Sequence, residues 1–209
     1  IQLQPDFASA YNNKAITIYT NQDIAKASIA DLKECESNFS KALEYDSTLV
    51  SVYKNRGIVR YYLGDYSKSQ EDLLIANKYN DKDINVQYYL CRGLLENKKY
   101  KEALDYYSNL INIAGVVSIY YLERADCYLQ LNKLDDAKID IDKAKSLPKC
   151  DLALIEYYYA KLSAAQKNKK ELITHLKSAE KLGLFNDKSF FTKIAKDNHF
   201  RFYEKDKDF

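Results

Sequence analysis

One sequence pattern recurs every 34 residues through the middle of the chain, in segments that start at positions 50, 84 and 118. Each segment is followed by a short turn, then an aromatic residue or leucine, then a small residue, as in Tyr66 with Ser69. Repeats of roughly 20–50 residues are typical of solenoids, in which a unit buries its apolar face by stacking on its neighbours. The spacing therefore predicts consecutive helical hairpins that pack in chain order.

Turn-forming residues are scarce, which favours helices over strands. The 209 residues include five glycines and two prolines, although 46% of the chain is hydrophobic and 30% is charged. Antiparallel β folds need glycine and proline at their corners. The balance of apolar and charged residues is that of a globular protein. We therefore expect an all-α fold with short connections.

Small residues recur where the two helices of each predicted hairpin would approach closely. A larger side chain at such a place would overpack the interface and cost about 1–3 kcal/mol. The small residues are Gly57, Cys91, Ala125 and Ala160 on first helices, and Ala42, Ala76, Ala144 and Ala179 on second helices. Among the second helices, the third has the larger Leu110 at this position.

The best-preserved copy resembles the tetratricopeptide repeat (TPR). The residues that carry the resemblance are Tyr53, Gly57, Gly64-Asp65-Tyr66, Ser69, Leu73 and Ala76. The sequence departs from the family pattern at Gln87, where an aromatic residue is usual, and at Ser69, where alanine is usual. The resemblance implies an all-α, right-handed superhelical solenoid of helix–turn–helix repeats with a C-terminal capping helix. It also implies a scaffold or adaptor that binds other proteins and is not an enzyme.

We expect the TPR-like array to span residues 1–182, with a capping segment over 183–209 whose short helix, running through Ala195, turns its aromatic residues inward. Residues 1–5 would be the tail of a preceding repeat. About eight extra residues near 21–30 should lengthen one or both helices of the first unit, and the fifth unit is one residue out of register after the Pro148–Cys150 loop. The units predicted in this way are 8–45, 50–80, 84–114, 118–148 and 152–182.

The resemblance places a protein or peptide partner in a concave groove lined by the first helices. The family's groove-facing spacing also falls on Ile58 and Leu122. Tyrosine combines a large rigid ring with a polar tip, which suits peptide recognition; alternatively, any one of these tyrosines packs between neighbouring first helices. The predicted partner-binding residues are Asn12, Lys54, Asn55, Tyr61, Tyr62, Tyr88, Tyr89, Arg92, Glu123, Asp126, Tyr157 and Lys161.

One TPR specialisation is not expected here. Family members that grip the C-terminal carboxylate of heat-shock chaperones use lysine, asparagine and arginine on successive first helices. In this sequence Ile58 and Tyr89 replace two of the asparagines, and Glu123 replaces a later basic residue. Because Glu123 would repel a carboxylate, this clamp is predicted to be absent.

Charge and hydropathy argue against several other functions. The formal net charge is +2, with 32 basic and 30 acidic residues, which gives no basic face for nucleic acid. No apolar run reaches the roughly 18 residues that a membrane span needs. The first five residues lack the features of a signal peptide, so a cytoplasmic location is expected.

No catalytic or metal-binding pattern is found either, and no cofactor is expected. The four cysteines form no C-x-x-C pair and are predicted to be small buried side chains. His175 and His199 are isolated in sequence from serine and cysteine. Acidic residues on the fourth second helix, including Asp140, are predicted to be solvated. Two alternative functions remain. The chain could associate with itself through exposed repeat ends, or it could be an accessory region of a longer protein.

Overall fold

The described part of the chain is built from successive α-helices. The computed structural model describes residues 5–20, 23–186, 197 and 199–200. Within these residues there are ten α-helices, two short 3-10 turns at Ile24–Lys26 and Leu184–Asn186, and no strand. The helices are α1 Pro5–Thr20, α2 Ile29–Tyr45, α3 Val50–Tyr62, α4 Tyr66–Tyr79, α5 Ile84–Glu96, α6 Tyr100–Ala114, α7 Ser118–Gln130, α8 Leu134–Lys145, α9 Leu152–Ala165 and α10 Lys169–Lys181.

Helices that follow one another in the chain also pack together. The chain divides into two compact units, Ile1–Tyr106 and Tyr107–Phe209. In the first unit α1 packs on α2, α2 on α3, α3 on α4 and α4 on α5. In the second, α7 packs on α8, α8 on α9 and α9 on α10. The all-α prediction and the packing of hairpins in chain order are therefore confirmed within each unit, whereas the right-handed superhelical sense stays a prediction.

First helices also contact one another within a unit, α3 with α5 and α7 with α9. The first helices α3, α5, α7 and α9 begin at residues 50, 84, 118 and 152, so their starts are 34 residues apart each time. This arrangement places the same helical positions of successive hairpins beside each other. It is the feature of the fold that builds the candidate site.

The predicted small residues lie at the crossings of paired helices. A Cβ atom built on Gly57 would lie only 2.8 Å from Cγ of Leu73 on the paired helix α4. Ser69 of α4 donates a hydrogen bond of 2.7 Å from Oγ to the carbonyl oxygen of Gly57. The corresponding Cys91, Ala125 and Ala160 are fully buried. The small-residue prediction is thus confirmed, and Ser69 contributes a polar contact that alanine could not make.

The turn between the two helices of a hairpin uses a left-handed residue. In α3–α4 this residue is Gly64, with φ of 80°; the next hairpins use Lys98, Asn132 and Lys167, with φ between 56° and 59°. The following amide reaches back to close the helix, as in the 3.0 Å bond from Asp65 N to the Arg60 carbonyl. Lys167 comes 35 residues after Asn132 because α9 has 14 residues where α7 has 13. The extra residue of the fifth unit is therefore taken up inside a helix.

The first hairpin takes up its extra residues in two ways. Its helices have 16 and 17 residues and are longer than those of the other hairpins. The connection between them includes the 3-10 turn at 24–26, and Ser28 caps α2 by accepting a hydrogen bond from the amide of Asp31 at 3.1 Å. Pro5 begins α1, a position where proline is well tolerated because it has no amide to leave unpaired. Of the tail predicted at 1–5, Pro5 belongs to α1 instead, and residues 1–4 lie outside the described residues, as does most of the predicted cap.

A buried arginine–aspartate pair joins three consecutive helices at two places. In the second unit, Arg124 of α7 donates two hydrogen bonds of 2.8 Å to Asp140 of α8 and one of 3.0 Å to Ser108 of α6. In the first unit, Arg56 of α3 binds Asp72 of α4 and Ser40 of α2 in the same way. The spacing from serine to arginine to aspartate is 16 residues at each step.

The prediction that Asp140 is solvated is therefore wrong, since the residue is only 3% exposed. Asp140 follows Ala137 by three residues and precedes Ala144 by four, which places it on the buried face of α8.

Three of the four cysteines are buried, as predicted. They are Cys35, Cys91 and Cys127, whereas Cys150 is half-buried, and all four are free thiols. Burial raises the pKa of Cys35 to about 11, further helped by the nearby Asp31 and Glu34 carboxylates. Burial likewise raises the pKa of Cys127. The Cys35 and Cys127 thiols are therefore protonated at neutral pH and pack as small apolar side chains.

We predict that Gly57→Ala destabilises the protein and Gly93→Ala does not. The new methyl group at position 57 would overlap Leu73, for a net loss of about 1–2 kcal/mol after the gain in helix propensity. A Cβ at Gly93, in the middle of α5, meets no atom within 4 Å, so alanine there should add about 0.5–1 kcal/mol of stability. Urea unfolding followed by circular dichroism measures both. Equal effects at the two sites would contradict the close-approach argument.

We also predict that Asp140→Ala lowers the free energy of unfolding by about 3 kcal/mol, because it leaves the largely buried Arg124 guanidinium without its carboxylate. The double variant Arg124→Met with Asp140→Leu removes both charges and should recover most of that loss. Asp135→Ala, on the exposed face of the same helix, is the control. A loss at Asp140 no larger than at Asp135 would show that the buried pair does not join these helices.

Candidate protein-binding surface

Four tyrosines of α3 and α5 form one cluster in the first unit. The hydroxyl oxygens of Tyr62 and Tyr89 are 2.9 Å apart and share a hydrogen bond. The ring of Tyr89 also lies edge-on to Tyr61 and Tyr88, with centroids 5.2 Å and 5.4 Å apart. Edge-to-face ring pairs at these distances are favourable beyond the area they bury. The sequence-predicted residues Tyr61, Tyr62, Tyr88 and Tyr89 are therefore brought together, and we call them the tyrosine cluster.

Arg92 extends this cluster by one helical turn. Its guanidinium carbon is 5.5 Å from the ring centroid of Tyr61 and 5.7 Å from that of Tyr88. One guanidinium nitrogen donates a hydrogen bond of 3.2 Å to the Tyr88 hydroxyl. Contact with these two rings holds the guanidinium against an aromatic surface.

The Tyr89 hydroxyl at the centre of this cluster stays protonated. Burial and the hydrogen bond with Tyr62 raise the pKa of Tyr89 well above its ordinary value of 10.0. Burial and the neighbouring Tyr62 also raise the pKa of Tyr19, a half-buried residue of α1 beside the cluster. Tyr89 and Tyr19 therefore offer neutral hydroxyls beside a largely apolar surface. Such a surface suits peptide binding.

Three further predicted residues lie on α1 and α3. Lys54 makes an ion pair of 3.1 Å with Asp83, the residue that caps the start of α5. Asn12 and Asn55 are half-buried. The Oδ1 atom of Asn12 is buried and has no hydrogen-bond partner among the described residues. Lys54 thus helps to join α3 to α5, and Asn12 retains an unused acceptor.

In the second unit, two of the predicted residues are bound by the end of the chain itself. Lys161 is 5% exposed and makes ion pairs with Asp126 of α7 and, at 3.0 Å, with Asp197. The Tyr157 hydroxyl donates a hydrogen bond of 3.2 Å to Asp197, and the Phe200 ring lies 5.8 Å from the Tyr157 ring. Tyr157 and Lys161 of α9 therefore already have an intramolecular partner in Asp197, and Tyr157 also contacts Phe200.

Glu123 and Asp126, the two predicted acidic residues of α7, both have partners within the chain. Asp126 is paired with Lys161, and Glu123 accepts a hydrogen bond of 3.3 Å from the Tyr107 hydroxyl. Ile58 and Leu122, which the spacing also places in the groove, are buried at 3% and 1% exposure. Each belongs to a hydrophobic core cluster, so neither side chain is available to a ligand.

Sequence reasoning missed the partners of Tyr157 and Lys161. Asp197 lies 36 positions beyond Lys161 and outside the repeat, so no periodicity points to it. The tilted contact between Tyr61 and Tyr66, at 5.4 Å, was also missed. Tyr66 follows the Gly-Asp turn, and its ring points to α3 only because the turn folds α4 back on it.

The two histidines bind carboxylates. His175 Nδ1 is 2.7 Å from Glu156, and its ring stacks on Tyr159 at 5.2 Å. Tyr159 and His175 occupy in the last hairpin the positions that Arg124 and Asp140 hold in the preceding one. His199 Nδ1 is 2.8 Å from Asp197.

The described residues contain no group of three or more histidine, cysteine, aspartate or glutamate side chains placed to hold a metal ion. In the same part of the chain, no helix has the length and apolar character that crossing a membrane would require.

The described fold is similar to that of solved TPR proteins. MamA from residue 41 onward, of Desulfovibrio magneticus RS-1, superposes with a TM-score of 0.73 at 17% identity, covering 87% of this chain and 98% of that one. YrrB, described as a TPR protein with an unusual peptide-binding site, gives 0.66 at 18%, covering 88% and 90%. TTC0263, a thermophilic TPR protein of Thermus thermophilus, gives 0.62 at 13%, covering 90% and 97%. At these identities the likeness shows the fold, which is that of a TPR protein.

Comparison of sequences adds one short match. A stretch of 51 residues is 39% identical to sperm-associated antigen 1 of Rattus norvegicus and covers 24% of this chain but only 6% of that protein. The chain thus matches a small part of that relative's length. No family model matches the sequence.

We predict that Asp197→Asn destabilises the second unit by about 2 kcal/mol at pH 7, because a charge-assisted hydrogen-bond network is lost. Burial opposes ionisation of Asp197, but the hydrogen bond with His199 and the charge of Lys161 outweigh it and hold its pKa below the ordinary 3.8. The stabilisation from a lowered pKa is fully present above the unfolded-state value and is lost as pH falls through the folded-state value. The difference between wild type and variant should therefore narrow below about pH 4.

Urea unfolding of both proteins at pH 7 and pH 3.5 measures this difference. Asp135→Asn, an exposed carboxylate of α8, serves as the control and should stay within about 0.5 kcal/mol of wild type. A pH-independent difference for Asp197→Asn would contradict the ionic contact.

Proposed function

We propose that this chain is a non-enzymatic protein-interaction module that binds a segment of a partner protein on the first-helix face of the unit spanning residues 1–106. The face is centred on the tyrosine cluster and Arg92, with Asn12, Lys54 and Asn55 at its edges. The observation that carries the proposal is the ring cluster on α3 and α5, whose members are held by contacts with one another. Tyr61 is buried beneath the cluster at 7% exposure, whereas Tyr62, Tyr88 and Tyr89 are half-buried. TPR proteins typically bind other proteins, which agrees with this proposal.

The energetic argument for a peptide ligand rests on pre-organisation. The hydrogen bond between Tyr62 and Tyr89 and the stacking of Arg92 fix several large side chains before any ligand arrives. A ligand then has little side-chain entropy to remove, which otherwise costs about 0.5–1.5 kcal/mol for each immobilised side chain. Tyrosine and arginine are also the residues that most often dominate binding energy at protein interfaces. YrrB is described as having a peptide-binding site, and the same class of ligand is proposed for this chain.

Different substitutions in the cluster have different structural consequences. Tyr62 and Tyr89 pack against the hydrophobic core of the first unit, so alanine there would lower stability as well as binding. Tyr88 contacts Tyr89 and Arg92 at the edge of the cluster. Tyr88→Ala is therefore the variant that tests binding, with Tyr62→Phe and Tyr89→Phe removing only the hydroxyls.

We predict that display selection of random 12-residue peptides on the immobilised chain yields ligands whose affinity falls at least about tenfold in Tyr88→Ala, because an aromatic contact at a hot spot is lost. Tyr79→Ala is the matched control, since Tyr79 is 72% exposed on the second helix α4. Biolayer interferometry gives the affinities, and a thermal melt checks the fold of each variant. No selected ligand, or ligands equally sensitive to Tyr79→Ala, would contradict the proposed surface. If the selected peptides instead reduce the concentration-dependent light scattering of the chain itself, the surface would be one for self-association and not for a different protein.

A further inference from the structure

Side chains near the C-terminus lie on residues that the sequence spacing assigned to the groove face of α9. The Asp197 carboxylate lies 3.0 Å from Lys161 and accepts the hydroxyl of Tyr157 at 3.2 Å. Three residues later the Phe200 ring packs against Tyr157 and is 1% exposed. The chain therefore covers this part of the second unit with its own residues. We call Asp197, His199 and Phe200 the strap, and Tyr157, Lys161 and Asp126 the socket.

The cation of the socket has a second carboxylate that does not belong to the strap. Lys161 of α9 is 5% exposed and pairs with Asp126 of α7 as well as with Asp197. The helices α7 and α9 also pack on each other. A buried charge without any partner is strongly destabilising. Removing the strap would not create one here, because Lys161 keeps the carboxylate of Asp126.

The carboxylate of the strap has partners inside the strap. His199 Nδ1 lies 2.8 Å from the Asp197 carboxylate, and the His199 amide donates to the same oxygen at 3.0 Å. The Phe200 amide donates to the Asp197 carbonyl at 3.1 Å. These bonds do not involve the socket and can persist when the strap leaves it. Release therefore gives up the contact with Lys161 and Tyr157 and the burial of the Phe200 ring, but it leaves no charge unpaired on either side.

The helices of the second unit are joined by apolar residues that lie outside the strap. Leu122 of α7, Ile141 of α8, Ile155 of α9 and Leu172 of α10 are at most 1% exposed and belong to one core cluster. The helices α7 to α10 pack in chain order. Phe200 adds to this cluster from beyond the last helix. The helix packing therefore has a core of its own when the strap is released.

From these contacts we infer that the strap is a releasable intramolecular ligand, an autoinhibitory contact that closes the first-helix face of the second unit. The socket takes a carboxylate followed three residues later by an aromatic ring, and a peptide with this chemistry binds only when the strap has left. The apparent affinity for such a peptide is reduced by the fraction of chains in which the socket is open. The inference concerns residues 107–209 and does not depend on the surface proposed on α3 and α5.

The first test compares peptide binding to the full chain with and without a functional strap. The probe is a fluorescein-labelled peptide, Lys-Asp-Asn-His-Phe-Arg, which copies residues 196–201. The double variant Asp197→Asn with Phe200→Ala, which leaves every socket residue unchanged, should bind it at least about tenfold more tightly than wild type, because the competing strap is weakened. Fluorescence anisotropy measures the affinities, and a thermal melt checks the fold.

Two controls separate loss of the strap from a general loosening of the second unit. Leu182→Ala alters a 50% exposed side chain next to α10 and should bind the peptide no more tightly than wild type. Peptides with asparagine for aspartate, or alanine for phenylalanine, should bind the double variant about tenfold more weakly, because a charge-assisted bond or a ring contact is lost.

The second test uses the wild-type chain and so does not require any variant to fold. Hydrogen exchange of the Phe200 amide should occur through a local opening whose free energy hardly changes with urea, because little surface is exposed. Amides in the middle of α9 should instead exchange by unfolding that urea promotes. Nuclear magnetic resonance at several urea concentrations below the transition distinguishes the two.

Three results would overturn the inference. One is a folded double variant that binds the peptide no more tightly than wild type does. Another is binding that is equally strong for the peptides lacking the carboxylate or the ring. The third is a Phe200 amide that exchanges only together with those of α9, which would make the strap an inseparable part of the second unit. If the double variant does not fold, this exchange measurement decides alone.

Discussion

Close contact between paired helices at small residues is the constraint on which the rest of this structure depends. At Gly57 the space next to the helix backbone is filled by Leu73 of the partner helix, and the fully buried Cys91, Ala125 and Ala160 occupy the same position in later hairpins. Two helices that pack so closely have a fixed crossing angle. Successive hairpins therefore present the same helical face to each neighbour. The side chains of adjacent first helices can meet only because this geometry repeats.

Polar contacts add specificity to this apolar packing. The pairs Arg56–Asp72 and Arg124–Asp140 each join two helices of a hairpin, and each arginine also reaches a serine of the preceding helix. A buried ion pair of this kind adds little net stability. Breaking it is nevertheless costly, because one charge then stays buried without an opposite charge beside it. The second-helix aspartate therefore restricts which arginine can lie against it. In the last hairpin Tyr159 and His175 take these positions, so the contact is aromatic there.

The candidate binding surface follows from the same repetition. Tyrosines at neighbouring positions of α3 and α5 are forced together, and their hydroxyls and rings find partners in one another. The result is a surface that is rigid before a ligand binds, which lowers the entropic cost of association. In the second unit the equivalent face of α9 is covered by the chain's own Asp197 and Phe200. Adjacent tyrosines are thus found on a first helix of each unit, Tyr88 and Tyr89 on α5 and Tyr157 and Tyr158 on α9.

The sequence by itself determined the helical hairpins, their order and the small residues at their crossings, because a 34-residue period and local turn chemistry act over short distances. It also singled out the tyrosines of α3 and α5, since helical spacing assigns residues to a face. Only the tertiary structure decided that Asp140 is buried against Arg124 and that Lys161 is bound by Asp197. The physical reason is that a charge has no preferred partner in sequence: which opposite charge it meets depends on how distant segments fold together.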